Sequence, residues 1–153
     1  MNRIDRKILS CLQEDAAMPI SEIAKAAGLS QSPCWRRIQK LEDSGVIRGR
    51  VVLLDPDKMN VGVTVFVSVR TNRHSAEWAD RFCRTIGQIP EVVEFYRMSG
   101  QTDYLLRVVV PDVAAYDKVY KRLIKSSDLY EVTSSFALER IKWTTALPVD
   151  YAS

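Results

Sequence analysis

Gln31, Ser32, Trp35 and Arg36 set hydrogen-bonding groups, an aromatic ring and a cation along two turns of one predicted helix. Ser30, Arg37, Gln39 and Lys40 extend the set in SQSPCWRRIQKLEDS, residues 30–44. Such side chains on one exposed helix face reach base edges and phosphates in a DNA major groove. Arg37 turns nearer the buried side than Arg36, where an intramolecular pair would brace the helix. Trp35 either packs on a sugar or thymine methyl or covers the domain surface. The chemistry is recognition, since nothing pairs a nucleophile with a base, clusters metal ligands or forms a phosphate loop. His74, the only histidine, reads as a surface residue.

The helix that must hold these groups has an apolar stripe of Cys34, Ile38 and Leu41, spaced i, i+4, i+7. Ser30 is the expected N-cap, and Pro33 is tolerated in the first turn. Ahead of it, Ile20–Ala27 forms a short helix with Ile20, Ile23, Ala24 and Ala27 inward, capped by Ser21 or the residue before it. Gly28 ends that helix where a left-handed residue is cheapest. Ala24, Gly28 and Cys34 are the small residue, turn glycine and buried apolar residue of a helix-turn-helix. A first helix spans Asn2–Glu14, capped by Asn2 with Asp5 at N3, and buries Ile4, Ile8, Cys11 and Leu12.

Charge agrees. The 153 residues carry a net +3, with nine Lys/Arg against six Asp/Glu in residues 1–50 and thirteen against thirteen afterwards. Cys11, Cys34 and Cys83 have no C-x-x-C spacing, so no zinc site or disulfide framework is expected, and Cys11 and Cys34 read as core. No stretch reads as a membrane span or leader, so a cytoplasmic protein with no membrane partner is expected.

Val46–Leu54 is β-branched and places Arg48 and Arg50 on one strand face, either as phosphate contacts or as a solvated surface. Asp55-Pro56-Asp57 is a turn signal. Beyond it, Val63, Val65, Val67 and Val69 alternate on a strand. Trp78, Phe82, Ile86 and Ile89 mark a helix capped by Ser75. Strands follow at Val92–Met98 and Asp103–Val110, then a helix with Val113, Tyr116, Tyr120 and Leu123 inward, and a strand at Glu131–Ile141. The expectation is an α+β chain with three parts. These are an N-terminal three-helix (winged) helix-turn-helix domain at 1–48, a strand linker at 49–60 and a ferredoxin-like βαββαβ domain at 61–153. The sheet face without helices keeps Phe, Tyr and Val side chains, so a dimer through it is expected.

In that order these parts resemble the Lrp/AsnC family of feast/famine regulators. The resemblance is carried by IDRKILSCLQEDA at 4–16, EIAKAAGLSQSPCWRRIQKLEDSGVI at 22–47 and SGQTDYLLRVVVPD at 99–112. The LDP turn, HSAEW at 74–78 and EVTSSFALERIKWTTALP look like its DecR-like, cysteine-responsive branch. The resemblance implies a transcription regulator, without cofactor, whose C-terminal domain senses a small amino acid: cysteine first, leucine or another apolar amino acid second. It implies double-stranded DNA as partner and homodimers that assemble to an octamer. It also carries over an effector site at Met98, Ser99, Gly100, Gln101, Thr102 and Asp103, with Thr133, Ser134 and Ser135 as polar lining. Asp103 would meet the α-ammonium group and backbone N–H groups the carboxylate. Gln101-Thr102 departs from the family's common acidic-aromatic pair. On the residues alone this loop is an ordinary hairpin with Gly100 at its turn and Asp103 capping it, and only the resemblance reverses that order. A ferredoxin-like enzyme and a protein-binding module are the alternatives, which salt dependence of duplex binding separates from a DNA reader.

Overall fold

Asn2 starts helix α1 (Arg3–Glu14) with a complete capping box: Asp5 N donates to Asn2 Oδ1 at 2.9 Å, and Asn2 N to Asp5 Oδ2 at 3.3 Å. The protein is described by a computed structural model over residues 1–125 and 129–152. It divides into two compact units, Met1–Val52 with Ile141–Ser153, and Leu53–Arg140.

In the first unit α1 packs with α2 (Ile20–Ala27) and α3 (Gln31–Asp43) around Ile8, Leu9, Cys11, Ile23, Ala24, Cys34, Ile38 and Leu41. Pro19, rather than Ser21, caps α2, without a side-chain hydrogen bond. Gly28, at φ 69°, ends α2 as a left-handed cap, with Leu29 N donating to Ala24 O at 2.9 Å. The tail returns here. Gln13 Nε2 donates to Leu147 O at 3.0 Å, Leu147 N to Gln13 Oε1 at 2.7 Å, and Val149 of the 3-10 turn η1 (Val149–Tyr151) packs on the core. Residues 141–152, read from sequence as part of the second domain, thus complete the first.

The expected strand over Val46–Leu54, and with it the strand linker at 49–60, is not formed. A strand exists only with a partner for its N–H and C=O groups, and none pairs with this stretch among the described residues. The Asp55-Pro56-Asp57 turn does form, closed by Val61 N donating to Pro56 O at 2.8 Å.

The second unit is the βαββαβ arrangement: β1 (Val63–Arg70), α4 (Ala76–Gly87), β2 (Val92–Arg97), β3 (Tyr104–Val110), α5 (Val113–Lys125) and β4 (Glu131–Phe136). The strands pair antiparallel in the order β2-β3-β1-β4. Ser75 caps α4, accepting from Trp78 N at 3.3 Å. Val65, Val67 and Val69 with Tyr104, Leu106, Val108 and Val110 meet Trp78, Phe82 and Ile86 of α4 and Tyr116, Val119 and Leu123 of α5. Trp78 stacks on Phe82 at 4.9 Å inside this core. Val113 is 64% exposed, against expectation, because the buried stripe of α5 runs Tyr116, Val119, Leu123. Register lays two rows across the helix-free face: Tyr96, Leu105, Ser68, Thr133, and then Glu94, Arg107, Phe66, Ser135. β4 ends at Phe136, short of the expected Ile141.

Candidate nucleic-acid interface and effector loop

Ser30 occupies the N-cap position of α3 in extended conformation, but its hydroxyl makes no capping hydrogen bond. A cap oxygen accepts from N2 or N3, and N3 here is Pro33, which has no N–H. Ser30 is exposed, as are Gln31, Ser32, Trp35, Arg36 and Lys40. Gln31, Ser32, Trp35 and Arg36 line a groove of about 510 Å³ with Ile20 of α2 as its other wall. Trp35, 50% exposed, is thus a wall of the groove.

Three residues of the expected DNA set are already engaged. Arg37 Nη1 donates to Asp5 Oδ1 at 2.7 Å, the bracing pair its position implied. Gln39 Nε2 donates to Glu42 Oε2 at 2.8 Å, and Arg50 Nη2 to Glu42 Oε1 at 3.0 Å. Glu42 receives both, and Gln39–Glu42 is an ordinary i, i+3 helix pair. Arg36, Lys40 and Arg48 have no protein partner among the described residues, so these cations keep their full valence for an anion. Cys34 and Cys11 are buried side by side in the same core, and burial with the neighbouring Cys11 pushes the Cys34 thiol above its usual range.

In the second unit, residues 98–103 join β2 to β3. Met98 N donates to Asp103 O at 2.8 Å, and Gly100 takes φ 102° at the turn, where a side chain would be strained. Asp103 ties the hairpin to the end of β1: its N donates to Val69 O at 3.0 Å, and its Oδ2 accepts from Thr71 N at 2.8 Å. Ser99 and Gln101 are exposed and Thr102 half-buried. The polar lining expected from β4 is split by the strand's two-residue period. Thr133 and Ser135 lie on the helix-free face, whereas Ser134 faces the helices and shares a hydrogen bond with Tyr116. Ser134 is therefore not brought together with Thr133 and Ser135.

The helix-free face holds a charged centre in an apolar frame. Arg107 Nε donates to Glu94 Oε1 at 2.7 Å, and Tyr96 Oη to Glu94 Oε2 at 3.0 Å. Arg107 holds the Glu94 carboxyl below its ordinary range, while Glu94 raises the Tyr96 phenol. Phe66 at 41% and Tyr96 at 51% exposure stand open around that pair.

These arrangements match known families over most of the chain. The winged helix-turn-helix DNA-binding family matches residues 1–48, and the Lrp/AsnC ligand binding domain matches residues 64–147. The chain belongs to the Lrp/AsnC family. This Lrp/AsnC protein is 48% identical over 151 residues to the DNA-binding transcriptional activator DecR of Escherichia coli (strain K12), covering 98% of this chain and 99% of that relative. Among solved structures it is similar to an AsnC family transcriptional regulator from Agrobacterium tumefaciens: TM-score 0.96, 61% identity, 100% of both chains. It is also similar to a transcriptional regulator from Neisseria meningitidis in complex with L-Met: TM-score 0.92, 34% identity, 98% of this chain and 97% of that one. The Lrp/AsnC chain is thus a DNA-binding transcription regulator with an amino-acid-binding domain, not an enzyme. No helix among the described residues is long and apolar enough to cross a membrane.

Proposed function

We propose that this Lrp/AsnC regulator reads duplex DNA in the cytoplasm through the groove face of α3 and changes its output when a small amino acid binds at residues 98–103. The observation that carries the reading is the set of unengaged polar groups at the start of α3, Ser30, Gln31, Ser32 and Arg36, in a chain whose other half is a ligand-binding domain. Cysteine is the favoured effector, supported by similarity to DecR along nearly the whole chain. Leucine or another apolar amino acid is the second reading, favoured by the L-Met complex of the Neisseria meningitidis relative.

Within the loop, Asp103 Oδ1 is the acceptor left for an α-ammonium group, since Oδ2 holds Thr71 N. Backbone N–H groups around Gly100 take the carboxylate. Thr133 and Ser135 serve as lining from the helix-free face, and Ser134 serves the core. The chain works as a homodimer through Phe66, Tyr96 and their neighbours, assembling to an octamer. No cofactor is required.

Two measurements test this reading. A thermal-shift screen of the twenty amino acids should single out cysteine or an apolar amino acid, with about 2.7 kcal/mol of stabilisation at a hundred times Kd. Duplex binding should weaken with salt at a log–log slope near ~−5 for six phosphate contacts. No shift with any amino acid removes the sensor role, and salt-independent binding removes the DNA reading.

A further inference from the structure

Arg3, Arg6 and Lys7 fall at i, i+3 and i+4 on α1, so they share one helix face. With Ser10 they line an open cleft of about 620 Å³ whose other wall is the end of α2 at Gly28, two residues before the N-cap of α3. Asp150 is the one acid that lines it. Arg3 and Lys7 are exposed and have no ion pair among the described residues. Arg6 gives Nη2 to Ala152 O at 2.6 Å, while its Nε is buried without a hydrogen-bond partner among the described residues. A guanidinium N–H left in that state is costly.

The charge balance points the same way. The positive excess of residues 1–50 is not concentrated on α3, because Asp5 neutralises Arg37 and Glu42 takes Arg50. What remains without an ion pair among the described residues is Lys25 of α2, Arg36, Lys40 and Arg48, and this α1 cluster. Ala26, Ala27 and Gly28 on the facing wall are small enough to admit a close approach. No aromatic ring lines the cleft to stack a base, so its chemistry is that of an oxyanion alone.

We propose that this α1 cleft is a second phosphate site, which takes backbone phosphates of the duplex beside the stretch read by α3. The proposal rests on the DNA-binding reading above. A duplex is the favoured source because the cleft is open, ends next to the turn leading into α3, and belongs to the unit whose partner is already a chain of phosphates. Its contacts position the protein on DNA and carry no sequence information.

The test uses the full chain and a random-sequence duplex, followed by fluorescence anisotropy over a series of KCl concentrations. Arg3→Ala and Lys7→Ala should each flatten the log–log salt slope by ~0.9, and the double variant by ~1.8. Preference between duplex sequences should be unchanged, and Lys7→Arg should keep the slope. Lys118→Ala, in the second unit, should leave it unchanged. A double variant with the parent melting temperature and the parent slope overturns the proposal. A second arm titrates tripolyphosphate into DNA-free protein by NMR. Saturable binding lost in the double variant, with no change in duplex slope, would assign the cleft to a free phosphate compound and overturn the duplex source. If the parent chain itself shows no salt-dependent duplex binding, the DNA-binding reading falls, an outcome distinct from either of these.

Discussion

Arg37 of α3 donates to Asp5 of α1 at 2.7 Å, and the same carboxylate closes the capping box that starts α1. One acid therefore fixes both the beginning of the first helix and the seat of the recognition helix. Arg36, the preceding residue, is exposed. The two arginines should separate cleanly. Arg37→Ala should lower stability by about 1 kcal/mol, modest because the pair is partly solvent-screened, and leave sequence preference intact. Arg36→Ala should leave the melting temperature alone and weaken operator binding by ~1–3 kcal/mol if it contacts a base. Chemical denaturation and anisotropy on each variant decide the matter, and exchanged outcomes would reverse the two roles.

Asp103 combines a structural and a proposed ligand role on different oxygens, and the choice of substitution pulls them apart. Asp103→Asn keeps an acceptor for Thr71 N but loses the charge, so amino-acid affinity should fall about ten- to a hundred-fold at nearly constant stability. Asp103→Ala also strands the Thr71 N–H and should cost a further ~1–3 kcal/mol of stability. Calorimetric titration beside a thermal melt measures both. Parent affinity in the Asn variant takes Asp103 out of the site.

Alkaline pH should destabilise the second unit. Burial raises the Tyr104 phenol above its ordinary 10.0, with Cys83 and Asp103 adding to the effect and Arg97 opposing it. The unfolded chain releases this proton at lower pH than the folded one. Stability is thus full below about 10 and declines as pH rises toward the folded value. Tyr104 lies among Trp78, Phe82 and Phe95, and no hydrogen bond to its hydroxyl is made among the described residues. Tyr104→Phe should therefore keep the neutral-pH stability and flatten the alkaline decline in denaturant melts. An unchanged decline would assign it to other groups.

Phe66 stands near the middle of the helix-free face, in register with Arg107 and Ser135. Phe66→Asp sets a second carboxylate beside the Arg107–Glu94 pair where apolar contact is expected, so light scattering should show a smaller assembly with the circular dichroism of the parent. Assembly at the parent size would place the interface elsewhere.

What was legible in the sequence is what neighbours in the chain decide. The Asn2–Asp5 box, the Cys34–Ile38–Leu41 stripe, the Gly28 cap and the alternation of β1 all follow from spacings within a turn or two. Two misreadings were also local. Pro33 at N3 removes the N–H that Ser30 would have capped, and the period of β4 had to put Ser134 opposite Thr133 and Ser135. Other features depend on distance along the chain. Arg50 meeting Glu42, Asp103 meeting Thr71 and the return of the tail to α1 leave no pattern in any short window. Val46–Leu54 has the composition of a strand, but composition supplies no partner, and the described chain offers none.

The return of Leu147 to Gln13 spans 134 residues, and this fixes an order of events at the ribosome. Helices α1, α2 and α3 emerge first and can pack on one another through contacts near in sequence. The face of α1 that receives Leu147 and Val149 stays bare while the whole sheet is made. At about 5–20 residues per second that interval is on the order of ten seconds. The unit that carries the recognition helix is therefore complete only once the tail at Leu147 and Val149 has been made.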